Sequence, residues 1–150
     1  MLKVSRLADY AVLIMSSLGM DSHAHRPASV IAADTGLPEP TASKVLKSLA
    51  REGMLDSLRG TAGGYRLARP AVDITIADIV AAIDGPVALT PCVEGSGDNC
   101  QLSGQCGLSG RWTPVNRAVQ AALESVTLAD MMRPAFAAQR MDSSTVERRP

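Results

Sequence analysis

The sequence predicts a mainly α-helical chain with one small β-wing, and three observations carry that prediction. Two short apolar-periodic stretches, Ser29–Thr35 and Pro40–Glu52, flank a turn containing Gly36, as two helices meeting at an angle require. Two strand-like stretches, Leu55–Leu58 and Tyr65–Ala68, follow at once around the turn Gly60–Gly64. Further on, Trp112, Val115, Val119, Ala122, Leu123 and Val126 form one stripe of a helix from Arg111 to about Val126. Together these make a winged helix-turn-helix with a long C-terminal helix. That last stripe is more than a small domain needs to bury, so it is expected to pair with a second copy.

Each element has its own local reasons. Val4 to Leu18 reads as a helix because Val4, Leu7, Ala8, Ala11, Ile14, Met15 and Leu18 recur at helical steps, with Gly19 closing it. Val12 and Leu13 extend the apolar surface to a second face, which Asp9 and Ser16 share. The loop Asp21–Pro27 carries His23 and His25, read as solvated side chains rather than ligands. Pro40 suits the start of the second short helix, where its missing N–H costs nothing. Ala42, Val45, Leu46 and Leu49 form the inner face of that helix, and Thr41, Ser43, Lys44, Lys47, Ser48 and Arg51 the outer one. Small polar and basic groups near its N-terminal end are what a recognition helix presents to base edges. Arg59 and Arg66 flank the tip of the wing, within reach of a phosphate or the minor groove. The plainer reading is a helical domain whose charged face is only solvated. Thr75 to Asp84 is a helix capped by Thr75 with Asp78, packed through Ile76, Ile79, Val80 and Ile83, and ended by Gly85-Pro86.

The stretch Pro91–Gly110 holds all three cysteines, Cys92, Cys100 and Cys106, and has no helical or strand periodicity. So polar and glycine-rich a segment builds no core of its own. Three thiols converging in such a loop are soft ligands suited to zinc or to an iron–sulfur cluster. The spacing lacks the CxxC pair common in structural zinc sites, which makes zinc the weaker metal reading. An odd count argues against a disulfide framework, and three unrelated reduced cysteines are the plain alternative.

Composition bounds the function classes. The 150 residues make one or two small domains with zero formal net charge. The charge is unevenly spread: residues 1–69 carry nine Lys/Arg against six Asp/Glu, and residues 70–128 carry two against six. A basic half joined to an acidic half suits a polyanion-binding unit with something else behind it. Aromatics are few, which disfavours single-strand binding by base stacking. Ala11–Met15 is the apolar run nearest to a secretory signal, and no cleavage site follows it; nor does any run approach a membrane span. A reducing cytoplasm is therefore the expected location. No nucleophile elbow, phosphate loop or HExxH occurs, and no enzyme activity is expected.

Taken together, Asp9-Tyr10-Ala11-Val12, Arg59-Gly60 through Gly63-Gly64-Tyr65-Arg66-Leu67, Ile76-Ala77-Asp78-Ile79, the three cysteines and Thr127-Leu128-Ala129-Asp130 resemble the IscR-type (Rrf) family of winged-helix, iron–sulfur-dependent transcription regulators. The resemblance spans residues 1 to about 131 and is closest to regulators of SUF-type cluster assembly. It implies a homodimer on a palindromic operator of double-stranded DNA, with one cluster per subunit, two-iron or four-iron, setting DNA affinity. Cys92, Cys100 and Cys106 match the family's ligand cysteines one for one. Where some members carry a histidine ligand, three residues after the last cysteine, this chain has Ser109, a poor ligand. Asp9 matches the position where nitric-oxide-sensing relatives supply a carboxylate from the partner subunit, which favours it as the fourth ligand over Glu94, Asp98 or thiols alone. The structural alternative for Asp9 is an acid favoured by the helix N-terminal dipole. Expected DNA contacts are Thr41, Ser43, Lys44, Lys47, Arg59 and Arg66.

The expected organisation is a winged helix-turn-helix over 1–86, a cluster-binding loop over 87–110, a dimerisation helix over 111–132 and a disordered tail over 133–150. Alternatives within the family are a nitric-oxide sensor or a thiol-only redox sensor. An electron carrier or cluster scaffold comes from another class, and fits poorly because ferredoxins carry four cysteines and no basic recognition helix.

Overall fold

In the computed structural model, α1 (Arg6–Gly19) begins where Ser5 accepts a hydrogen bond from the Ala8 N–H at 3.0 Å. Val4 lies ahead of that cap and is exposed, so the helix starts two residues later than its apolar pattern. The structure describes residues 3–21, 23–97, 99–102 and 104–133. Ala8, Ala11, Ile14, Met15 and Leu18 form the buried face of α1, against which α2 (Ala28–Thr35) and α3 (Glu39–Arg51) pack. Gly36 turns the chain between α2 and α3 with φ of 72°, a left-handed conformation that glycine takes without penalty.

The wing is the antiparallel pair β1 (Leu55–Leu58) and β2 (Gly64–Leu67), in the register Leu55↔Leu67 and Leu58↔Gly64. It is fastened to the helices by the backbone of Arg26. The Arg26 N–H donates to the Tyr65 carbonyl at 3.0 Å, and the Tyr65 N–H donates back at 2.9 Å. A Cβ at Gly64 would lie 2.2 Å from the Arg26 carbonyl oxygen, so the glycine permits this close approach. The Arg26 guanidinium completes the joint, donating to the Ser17 carbonyl and hydroxyl of α1 and to the Asp34 carboxylate of α2.

After a single 3₁₀ turn at Ala71–Asp73 comes α4 (Ile76–Asp84), opened by the expected capping box of Thr75 and Asp78. The expected unit over 111–132 divides in two: α5 (Thr113–Glu124) stops at Ser125, and α6 (Leu128–Met131) turns back onto α1. The physical reason is a second capping box, Thr127 with Asp130, which starts a new helix in a new direction. The two capped starts lie side by side. The Ile76 N–H donates to the Val126 carbonyl at 2.9 Å and the Leu128 N–H to the Ile74 carbonyl at 2.8 Å. Leu128 thereby enters the same core as Ile14, Leu18, Leu46, Leu49, Ile74 and Ile79. Each such aliphatic side chain stabilises the fold by roughly 1.5–3 kcal/mol. The tail expected to be disordered lies, from residue 134 on, outside the described residues.

Candidate nucleic-acid interface and cysteine loop

The buried side of α3, with Ala42, Val45, Leu46 and Leu49, leaves its polar side outward. Lys44 and Lys47 are exposed, and Thr41 and Ser43 are half-buried near the helix start. None of the salt bridges among the described residues involves Lys44, Lys47 or Arg59, so each is available to a phosphate. A groove of about 510 Å³ runs between α3 and the wing, and Lys47 and Arg59 stand on its two walls. Arg66 is placed differently. It faces its register partner Asp56 across the strands, with Nη2 to Oδ2 at 3.2 Å, and lines another recess. Neighbouring strand residues point to opposite faces, which is why Tyr65 borders the groove and Arg66 does not.

The cysteine loop is a series of tight turns. Backbone hydrogen bonds run from Val93 to Thr90, from Cys106 to Leu102, from Ser109 to Cys106 and from Arg111 to Leu108. Cys92, Cys100 and Cys106 are all free thiols of intermediate exposure. Cys92 falls in the first of these turns and Cys106 in the later ones, with Cys100 between. The convergence expected of the three is not present: the described residues bring no three His, Cys, Asp or Glu donors to within metal-holding distance of one another. Asp9 is exposed in the first turn of α1, and Glu94 is exposed in the loop; Asp98 lies outside the described residues.

Cys92 has a hydroxyl beside its sulfur. Thr90 Oγ1 lies 3.2 Å from its sulfur. The Thr90 hydroxyl above all, with the backbone N–H groups of Gly110 and Cys92, lowers the thiol pKa; burial opposes this. Thr90 was not among the expected site residues, although its place two residues before a cysteine is a readable signal. Asn116 was missed as well. It is a polar residue inside the apolar stripe of α5, and only 5% exposed. Its side-chain oxygen accepts from the Leu89 N–H at 2.9 Å and its amide donates to the Val87 carbonyl at 2.9 Å. At the start of that helix the N-cap Trp112 and Val115 remain exposed, at 41% and 46%.

The family model for Rrf2, described as iron-dependent transcriptional regulator, matches residues 4–134. The chain belongs to the Rrf2 family. Among its relatives is the HTH-type transcriptional regulator IscR of Vibrio vulnificus, 30% identical over 132 residues, which cover 87% of this chain and 77% of the relative. The solved structure of CymR, the global cysteine regulator of Bacillus subtilis, superposes with a TM-score of 0.67 at 28% identity, covering 88% of this chain and 97% of that one. An IscR structure from T. potens gives 0.65 at 30% identity, covering 92% and 91%. These relatives make the chain an Rrf2-family DNA-binding transcriptional regulator of the winged-helix type, not an enzyme. No helix among the described residues is long and apolar enough to cross a membrane.

Proposed function

We propose that this Rrf2 regulator senses iron–sulfur cluster status through a labile cluster on its cysteine loop and controls SUF-type cluster-assembly genes. The observation that carries the reading is the loop itself: three free, half-buried thiols on one segment, one of them held toward thiolate, joined to a DNA-reading domain. Thiolates are the form that binds iron, so the donor chemistry fits the group. Cys92, Cys100 and Cys106 would hold it, and Asp9 offered by a second copy would complete the set. A carboxylate is a harder, weaker donor to iron than a thiolate, so that corner is the exchangeable one. When bound, the cluster supplies a site that oxygen, nitric oxide or iron shortage can remove. The protein's own part is to gather the loop, and so to reset the spacing of two recognition helices on a palindrome.

On the DNA, Lys44, Lys47 and Arg59 supply phosphate contacts, and Thr41 and Ser43 read base edges. Arg66 serves this surface by ordering the wing through Asp56, and reaches DNA only by leaving that pair. The exposed apolar side of α5 is the proposed homodimer contact.

Anaerobic reconstitution tests this. Wild-type protein should take up iron and sulfide and change its DNA affinity on doing so, and each single Cys→Ala variant should lose the chromophore while staying folded. A variant that keeps full iron and sulfide removes its cysteine from the ligand set. The second reading, a redox sensor acting through thiols alone, is favoured by the lowered pKa of Cys92. It predicts DNA affinity that responds to peroxide in protein free of iron.

A further inference from the structure

Among the described residues, Asn116 is the one polar side chain in the buried set, and it is not spent on its own helix. Its two hydrogen bonds go to Val87 and Leu89, at the entry of the cysteine loop. A side-chain amide offers the same donor–acceptor pair as a peptide group, so Asn116 holds this segment to α5 as a neighbouring strand would. Both bonds are made to backbone atoms, which cannot swing away as a side chain can. One residue past Leu89 stands Thr90, whose hydroxyl meets the Cys92 sulfur at 3.2 Å.

The far end of α5 is equally fixed. Val126 and Leu128 are hydrogen-bonded to Ile76 and Ile74, and Leu128 is fully buried in the core beneath α1 and α3. A continuous set of contacts therefore runs from the Cys92 sulfur through Thr90, Leu89 and Asn116 into α5, and from α5 into the DNA-reading domain. Among the described residues Asn116 is the polar hold of Val87 and Leu89 on α5, while Cys92 also meets the Gly110 N–H, whose carbonyl accepts from Thr113 at the start of that helix.

We infer that Asn116 is a positioning residue that couples the state of the Cys92 thiol to the placement of α5, and through it to DNA binding. The inference rests on the sensing role proposed for the loop. An operator that fixes the placement of α5 should, through Asn116, change the surroundings of Cys92 and with them its reactivity. That permits a test in reduced protein free of iron.

The rate of iodoacetamide alkylation at each cysteine would be followed by mass spectrometry, with and without a saturating double-stranded operator selected from a random library. In wild-type protein the operator should change the Cys92 rate by roughly fivefold or more, the lower end of usual coupling between sites. In Asn116→Ala that ratio should fall below about twofold. The isosteric Asn116→Asp, which keeps the acceptor for Leu89 but loses the donor to Val87, should also lose part of the ratio, and it decides the matter if the alanine variant does not fold. A mere staple would lower the melting temperature and leave the ratio intact; a wild-type ratio in both variants overturns the role of Asn116 alone. A Cys92 rate indifferent to operator in wild-type protein overturns this inference, whereas the sensing role proposed for the loop fails separately, if reconstitution with iron and sulfide leaves DNA affinity unchanged.

Discussion

The Thr90 hydroxyl lies 3.2 Å from the Cys92 sulfur. The thiol is lowered chiefly by Thr90, so a larger share of it is thiolate at a given pH than an ordinary cysteine would have. Thr90→Val keeps the shape and removes the donor. The alkylation profile of Cys92 should then move to higher pH while those of Cys100 and Cys106 stay in place, as mass-resolved labelling across a pH series would record. An unmoved profile would take Thr90 out of the site. At the wing, Gly64 is needed for geometry, with φ of 146° and the Arg26 carbonyl oxygen 2.2 Å from where a Cβ would stand. Gly64→Ala should cost at least about 1–3 kcal/mol from backbone strain, read as a lower urea midpoint, and should loosen the wing before the rest of the domain.

The stability of α6 should depend on pH. Asp130 has its pKa lowered by the backbone N–H of Thr127 first, then by the Thr127 hydroxyl, with a smaller contribution from Arg133. A carboxyl depressed in the folded state contributes stability that is present above its unfolded pKa and is lost as pH falls through the folded one. Melting temperature should therefore drop on acidification below about pH 4, the ordinary aspartate range. Asp130→Asn should start lower at neutral pH and show a flatter acid limb, and an acid limb identical to wild type would assign the effect to other carboxylates. For α3 and the wing, Lys47 and Arg59 line one groove, where the proposed function gives them one electrostatic task. Neutralising either should weaken binding on all sequences alike and reduce the slope of log affinity against log salt by about one. Arg66→Ala should change that slope less, because its charge is already engaged by Asp56. Equal slopes for Arg59→Ala and Arg66→Ala would contradict the geometry of the groove.

Across the whole molecule, the basic end reads DNA and the acidic end carries the loop and an unburied helix face. Trp112 and Val115 are large apolar side chains left open on α5, where a second copy would cover them. Val115→Glu should convert the protein to a monomer in sedimentation. It should lower operator affinity by far more than non-specific affinity, since only a dimer spans two half-sites about 34 Å apart. A dimer of normal affinity in that variant would move the contact elsewhere.

The winged helix-turn-helix was legible because each part is written locally. Period-3.6 apolar residues mark α1 and α3, Gly36 and the Gly60–Gly64 turn punctuate them, and Thr75 with Asp78 caps α4. The three cysteines that the proposed cluster would use were visible too, as the one thiol-bearing, glycine-rich stretch of the chain. Whatever depends on residues far apart in the chain was not. The joint of Arg26 with Ser17, Asp34 and the wing, the return of α6 onto α1, and the clasp of Asn116 on Val87 and Leu89 across 27 to 29 residues arise from tertiary placement. Local propensity is a sum over neighbours in sequence, and it says which residues turn, coil or cap. Which polar atom meets which backbone group is decided only when the core has closed, because a buried donor must then be satisfied by whatever the fold has brought beside it.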